Sequence, residues 1–380
     1  MNKQLIFFGE DWGGLPSSSQ HLATHLLKLG WQIVWINSIG LRQPKLKMKD
    51  FKRLAVKLMS FLSKKTSVRQ LEKNEKLSIV SPLIIPYIGF SFIDKINRFL
   101  FKRQLDKVIK SRNLLNYQII TALPTAIAFY PLLSKQPWYY YCCDDFSALA
   151  NVSHKAVTKC ENRLVTIVEC IFVSSQVLAD KFENYHPILV EHGVDVELFQ
   201  SSRHRPSDLI YSDAIIGFYG SISEWLDIEL LVFCASDNPD FSFVFIGNIN
   251  TDIKGLVKLP NVHFLGSKKH SELSNYLHHW QVSILPFRCN QQIEGCNPLK
   301  LREYLASGSY VVSTDFPEAQ NFSQYICIAD TKEAFSEGIR RYINDTKQAK
   351  LQRKKAASIF SWQKQTEIME RILLKYQRSL

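Results

Sequence analysis

The chain has 380 residues, 46% hydrophobic and 22% charged, with a formal net charge of +12. That is enough length and apolar content for two ordinary α/β domains, which excludes a disulfide-stapled miniature and a disordered tail. The charge points to an anionic partner, whether nucleic acid, a membrane surface or a phosphorylated substrate.

The first strand, "QLIFFG", runs through the loop "EDWGGLPSSS" into the helix "SQHLATHLLKLG" and the strand "WQIVWIN". Ser17 to Ser19 stand ready as helix caps. The amino terminus is too short an apolar run for a signal peptide, and no stretch of about 18 apolar residues occurs, so neither export nor a membrane span is expected. The segment 42–76 then breaks the sheet pattern, interleaving leucines and phenylalanines with twelve Lys/Arg and three Asp/Glu. A second basic stretch, "DKINRFLFKRQLDKVIKSRN", carries the pattern to about residue 110. Basic amphipathic helices lie well on anionic bilayers; the alternative is a solvated helix face.

Further strands read as "LSIVSP", "YQIITA", "WYYYCCDD" and "CIFVSS", and "ILVEHGVDVELF" closes the first half. The polar text around 200–213 reads as a linker. Strands resume with "AIIGFYGSI", "FSFVFIGN", "VHFLGS", "VSILPF", "YVVST" and "YICIAD". Strands alternating with helices twice over predict two parallel-sheet domains: 1–205, with the basic segment 42–110, and 206–360. The remaining 361–380 is an amphipathic helix that would cross back to the first domain. Eight cysteines without Cys-x-x-Cys or Cys/His ligand spacing read as reduced thiols of a cytoplasmic protein, and no metal is expected. Without a helix-turn-helix, zinc or aromatic RNA-binding signature, nucleic acid is not the expected partner.

Ligands of open parallel sheets bind beyond the carboxyl ends of the strands. In "GFYGSISEWLD", Gly217, Gly220 and Ser221 would let backbone amides approach a phosphate. "NPLK" puts Lys300 at a helix amino end, where cation and amides would hold a diphosphate. Glu303, nearly on the same face, suits a ribose diol. As structure alone, the two would be a surface ion pair. Asp144 and Asp145 end a strand and would serve as general base toward an acceptor hydroxyl, with Asp145 nearer the loop, or as a helix cap. His192 would approach sugar or phosphate from a hinge, or satisfy a turn.

"NPLKLREYLASGSYVVST" resembles the donor-binding segment of GT-B glycosyltransferases of the group 1 type, with its Pro-x-Lys-x-x-Glu-Tyr pattern. "FVSSQVLADKF", "EHGVDVELF", "IIGFYGSISEWLDIELL" and "VHFLGSKKHSELSNYLHHWQVSILPF" are similar to segments of that family in family order, covering most of 137–320. The resemblance implies an α/β, GT-B architecture of two Rossmann-like domains facing across a cleft, and transfer of a sugar from a nucleoside diphosphate sugar without a metal. It implies that Glu303 holds the ribose, Lys300 the phosphates, and Gly266 with Ser267 the surroundings of the base; Asn297 of the same segment counts with the donor residues. The opening "GEDWGGLPSSSQHLATHLLKLGW" resembles bacterial relatives that build cell-surface polysaccharides. Asp11, Trp12, Gln20 and His21 would then face the acceptor, a saccharide or polyprenyl-linked saccharide. Trp12 as packing and His21 as an ordinary helix residue are the alternatives.

Two departures stand out. Many relatives separate a glutamate pair by seven residues, whereas Glu294 and Glu303 are separated by eight, which weakens Glu294 as the sugar-contacting catalytic carboxylate. The loop opening the second domain offers Glu224 and Asp227 where many relatives carry a basic pair. Phosphate neutralisation would fall on Lys300, Arg288 and backbone amides. The expected protein is a cytoplasmic glycosyltransferase, peripheral on the inner face of the membrane. Its rivals are a sugar-nucleotide epimerase of the same fold and a decayed scaffold.

Overall fold

The computed structural model describes residues 3–14, 17–39, 75–85, 91–147, 153–201 and 204–377. The basic stretch up to residue 74 lies outside them. Two compact units divide the chain, one of Met1–Val190 with Thr366–Leu380 and one of Glu191–Gln365. The division falls earlier than the boundary expected at 205/206. Phe199 and Leu209, on either side of that point, are both in the core of the second unit.

Among the described residues of the first unit, seven parallel strands follow the order β3-β2-β1-β4-β5-β6-β7. They are β1 Gln4–Phe8, β2 Gln32–Ile36, β3 Leu77–Val80, β4 Gln118–Thr121, β5 Trp138–Cys142, β6 Cys170–Val173 and β7 Ile188–Leu189. Nearly every side chain on the inner five is buried, because helices cover both faces of a parallel sheet. Helix α1, Ser18–Lys28, is capped by Ser17, whose hydroxyl accepts from the Gln20 amide. Helix α2, Ser91–Ser111, packs Phe101, Leu105 and Val108 inward. The carboxyl-terminal helix Trp362–Gln377 belongs to this unit from Thr366 onward. There Glu370 accepts from Lys3 Nζ and Trp31 Nε1, each at 2.8 Å.

In the second unit six parallel strands follow the order β10-β9-β8-β11-β12-β13. They are β8 Ile215–Tyr219, β9 Ser242–Ile246, β10 Val262–Phe264, β11 Val282–Leu285, β12 Tyr310–Thr314 and β13 Cys327–Ala329. The order reverses direction between β8 and β11, the point where parallel sheets open a crevice for ligands. Helix α3, His270–Leu277, lies between β10 and β11, and α4, Leu299–Ser307, between β11 and β12. Pro298 precedes α4, and Gly308 ends it at φ 80°. The Gly308 and Ser309 amides reach back to the Leu305 and Tyr304 carbonyls.

Gly217 has a packing role, not the phosphate-loop role the sequence suggested. It sits inside β8, and a Cβ there would lie 2.0 Å from the Trp280 ring. Gly266 is different: its φ is +67° and nothing approaches within 4 Å. Gly217→Ala is therefore expected to cost on the order of 3 kcal/mol through overpacking, and Gly266→Ala about 1 kcal/mol through backbone strain alone. Urea unfolding of both variants checks the order; equal midpoints would contradict the packing account.

Candidate functional site

In the second unit the candidate site is built on strand ends and the first two turns of α4. Gly220, at φ +127°, follows β8, and its amide donates to the Ile246 carbonyl at 2.8 Å. Gly247, at φ +149°, follows β9; a Cβ on it would fall 1.9 Å from the Gly220 carbonyl oxygen, so only glycine lets these two turns stack. The Gly247 amide in turn donates to the Gly266 carbonyl at 2.9 Å. Ser221 joins Ser223 and Asn250, and Ser267 donates to Asn248 at 2.7 Å. Gly220, Ser221, Gly266 and Ser267 thus belong to one layer of turns at the carboxyl ends of β8 to β10.

Lys300 rises from α4 into that layer. Its Nζ lies 5.2 Å from the Phe218 ring centre and 5.4 Å from that of Phe287, and a Cβ on Gly220 would stand 3.1 Å from it. Among the described residues no hydrogen bond or ion pair reaches this ammonium. Burial lowers its pKa from the ordinary lysine value, against the opposing pull of Cys296 and Glu303. Two aromatic faces recover part of the lost hydration but supply no counter-charge.

Glu303 is not the surface partner of Lys300 that helix spacing suggested. Its residue is 6% exposed, and its carboxylate accepts from Tyr219 Oη at 2.6 Å and pairs with His270 Nε2 at 2.6 Å. Although burial disfavours the imidazolium, the bond to Glu303 raises the His270 pKa. The sequence reading missed Tyr219 and His270. The signal available was weak: Tyr219 ends a buried strand, and His270 opens a helix three residues after the Gly266–Ser267 turn.

Arg302 lies on the opposite side of α4, wholly buried. It donates to Glu318 at 2.7 Å, to Glu191 at 3.1 Å and to Asn297. Asn297 is therefore engaged as a helix-entry brace, and its carbonyl also meets His192 Nδ1 at 2.7 Å. Glu294 ends a one-turn helix, Gln291–Glu294, with its side chain exposed, and Arg288 is exposed as well. The structure gathers Lys300, Glu303, Gly220 and Phe287, whereas the side chains of Glu294 and Arg288 are exposed.

The first unit carries a second group of polar residues after β1 and β5. The Trp12 ring meets Trp35 edge-on at 4.8 Å, and its amide donates to Asn37 at 3.0 Å. Gln20 is buried and clamps the loop, accepting from the Gly13 amide at 3.2 Å. Asp11 is exposed and caps the Ser38 amide at 3.1 Å; His21 is half-buried and its carbonyl meets His25 at 3.0 Å. Asp144 and Asp145 lie in the loop just beyond β5, not in the strand. Asp145 is tied to Lys181 at 2.8 Å and to the Ser147 hydroxyl at 2.7 Å. Those bonds outweigh burial and hold its pKa below the usual value. Burial, with Glu10 and Asp145 adding charge, pushes Asp144 up to about 6. Glu10 is raised too, chiefly by burial. Among the described residues no group of three or more His, Cys, Asp or Glu could hold a metal ion.

Residues 214–345 match the family model described as glycosyl transferases group 1. A putative teichuronic acid biosynthesis glycosyltransferase, TuaH, of Bacillus subtilis (strain 168) is 29% identical over 222 residues, 51% of this chain and 55% of the relative. The chain thus spans about half the length of that curated relative. A sucrose-phosphate synthase structure from Thermosynechococcus elongatus superposes with a TM-score of 0.72 at 15% identity, covering 100% of both chains. Anabaena HepE in complex with UDP and glucose superposes at 0.69 with 13% identity, covering 98% of this chain and 100% of the other. These likenesses show the fold, GT-B with two Rossmann-like domains.

A raised carboxyl pKa means the native state binds a proton more tightly than the unfolded chain. Stability from Asp144 is present below the unfolded value and declines as pH rises through about 6. Asp144→Asn should match the wild type near pH 4 and exceed it at pH 7 by on the order of 2 kcal/mol. Thermal unfolding across that range reads the difference; a gap independent of pH would refute the buried-carboxyl account.

Proposed function

We propose, for a GT-B chain related to the group 1 glycosyl transferases, that it moves a sugar from a nucleoside diphosphate sugar to a saccharide acceptor in bacterial surface-polysaccharide assembly, the acceptor being lipid-linked. The observation that carries the reading is Lys300, a half-buried ammonium with no ion-pair partner among the described residues, held against a glycine turn one helical turn from the Glu303 carboxylate. A diphosphate would supply the missing charge, and the departing nucleoside diphosphate builds negative charge that a fixed cation stabilises in the transition state. Glu303 would accept from the ribose hydroxyls. The turns at Gly220, Ser221, Gly266 and Ser267 would surround phosphate and base. Arg288, being exposed, would add to phosphate neutralisation only from the surface.

The acceptor would be held by the first unit through Trp12, Asp11 and His21, with Gln20 bracing their loop. For the acceptor proton Asp144 is a better base than Asp145. Its pKa is pushed up to about 6, closer to the working pH than an ordinary carboxylate's, whereas Asp145 is occupied by Lys181 and Ser147. The description of TuaH as a putative teichuronic acid biosynthesis glycosyltransferase supports the polysaccharide assignment, and HepE, seen with UDP and glucose, supports the donor class.

No described helix is long and apolar enough to cross a membrane. Helix α2 supports a peripheral role instead: Phe92 and Phe99 are 74% and 61% exposed, and Lys95, Lys102, Arg103, Lys107 and Lys110 accompany them. Such a face fits the anionic inner surface of a cell membrane.

Lys300→Ala and Glu303→Ala should each weaken binding of the donor nucleotide sugar by about 1.5 to 3 kcal/mol, the size of a charge-assisted bond, with the fold retained. Calorimetry against a panel of nucleotide sugars tests this, and unchanged affinity in both variants removes the assigned site. Separately, the full chain should sediment with vesicles rich in anionic lipid, less so in high salt, and less again after Lys95, Lys102, Lys107 and Lys110 are changed to Gln, at about 1 kcal/mol per charge. Equal sedimentation with neutral vesicles would make α2 a solvated face.

A further inference from the structure

Glu303 is held through both of its oxygens. Tyr219 Oη and His270 Nε2 each approach one of them at 2.6 Å, from the end of β8 and the first residue of α3. The Tyr219 ring is itself fixed, meeting Tyr304 edge-on at 5.0 Å and Trp280 at 6.1 Å. His270 packs edge-on against Phe199 at 5.5 Å. A carboxylate gripped at one oxygen can still turn about its last carbon–carbon bond; one gripped at both cannot. Its side chain stays 8% exposed and that of His270 21%, so the clasped group borders solvent. A vicinal diol donates two hydrogen bonds at a fixed spacing, and only a carboxylate of fixed plane gains the full benefit of both.

We propose that Tyr219 and His270 are positioning residues that set the plane of the Glu303 carboxylate, and that this clasp gives the donor site its preference for ribonucleotides over nucleotides lacking the 2′ and 3′ hydroxyls. The inference rests on the reading of Glu303 as the ribose-binding group. Neither side chain needs to touch the nucleotide. Each acts by preventing the carboxylate from following a ligand that offers one hydroxyl or none, so the clasp affects discrimination more than grip on the phosphates.

The test is calorimetry on the full chain with UDP, ADP and GDP and with their 2′,3′-dideoxy counterparts. For whichever base binds, the wild type should favour the ribose form by about tenfold or more, the size of one charge-assisted hydrogen bond. Tyr219→Phe keeps the ring and removes only the donor; it and His270→Ala should bring that ratio down to about two to threefold while dideoxy affinity stays within about twofold. His270→Gln, which retains an N–H donor, should recover part of the ratio. A merely structural role would lower affinity for both forms alike. If Glu303→Gln abolishes the preference while Tyr219→Phe and His270→Ala keep it, the positioning role is overturned and the ribose reading stands. If Glu303→Gln leaves the preference intact, or no nucleotide binds the wild type, the ribose reading fails and the inference with it.

Discussion

The second unit depends on one buried cation. Arg302 lies wholly inside, with Glu318, Glu191 and Asn297 around its guanidinium and the rings of Phe322 and Phe360 at 5.3 and 4.8 Å. Taking a guanidinium out of water costs several kcal/mol unless charge and hydrogen bonds replace the lost hydration, and its planar fork suits several acceptors at once. The replacement partners come from three places in the chain: the segment opening the unit, the turn before α4 and the short helix after β12. Satisfying Arg302 therefore fixes where α4 begins and how it is rotated. Lys300 and Glu303 inherit their positions from that constraint.

The other face of α4 has the opposite electrostatic character. Lys300 lies against two aromatic faces and a glycine turn and, among the described residues, has no carboxylate bond, whereas Glu303 bonds Tyr219 and His270. The stacked turns at Gly220 and Gly247 bring backbone close to this face, a proximity that side chains would forbid.

The first unit divides its adjacent acids in a similar way. Lys181 bridges Asp145 and the buried Glu161, both at 2.8 Å, and Tyr140 donates to Glu161 at 2.6 Å. That network consumes Asp145 as structure. Asp144, one residue away, has Cys143 and the charges of Glu10 and Asp145 for company, and burial pushes its pKa up to about 6. Two neighbouring carboxyls thus acquire different chemistry because one found a lysine.

Alternation of apolar runs with helical stretches was enough to place the thirteen strands among the described residues, since parallel strands covered on both faces are largely apolar. The Pro298 to Gly308 punctuation likewise bounded α4 in the text. What the sequence could not supply was the company each polar residue keeps. Helix spacing made Lys300 and Glu303 partners, but Glu303 instead meets Tyr219, 84 residues away, and His270, 33 away. Nearness to the loop favoured Asp145 as the base, but Lys181, 36 residues on, holds it. Gly217 read as a phosphate turn because nothing in its neighbours announced Trp280. Local sequence determined the elements, because periodicity and caps act over one or two turns. Pairing across strands and helices decided charge state and role, because desolvation and hydrogen bonding depend on which distant side chains the fold brings within 3 Å.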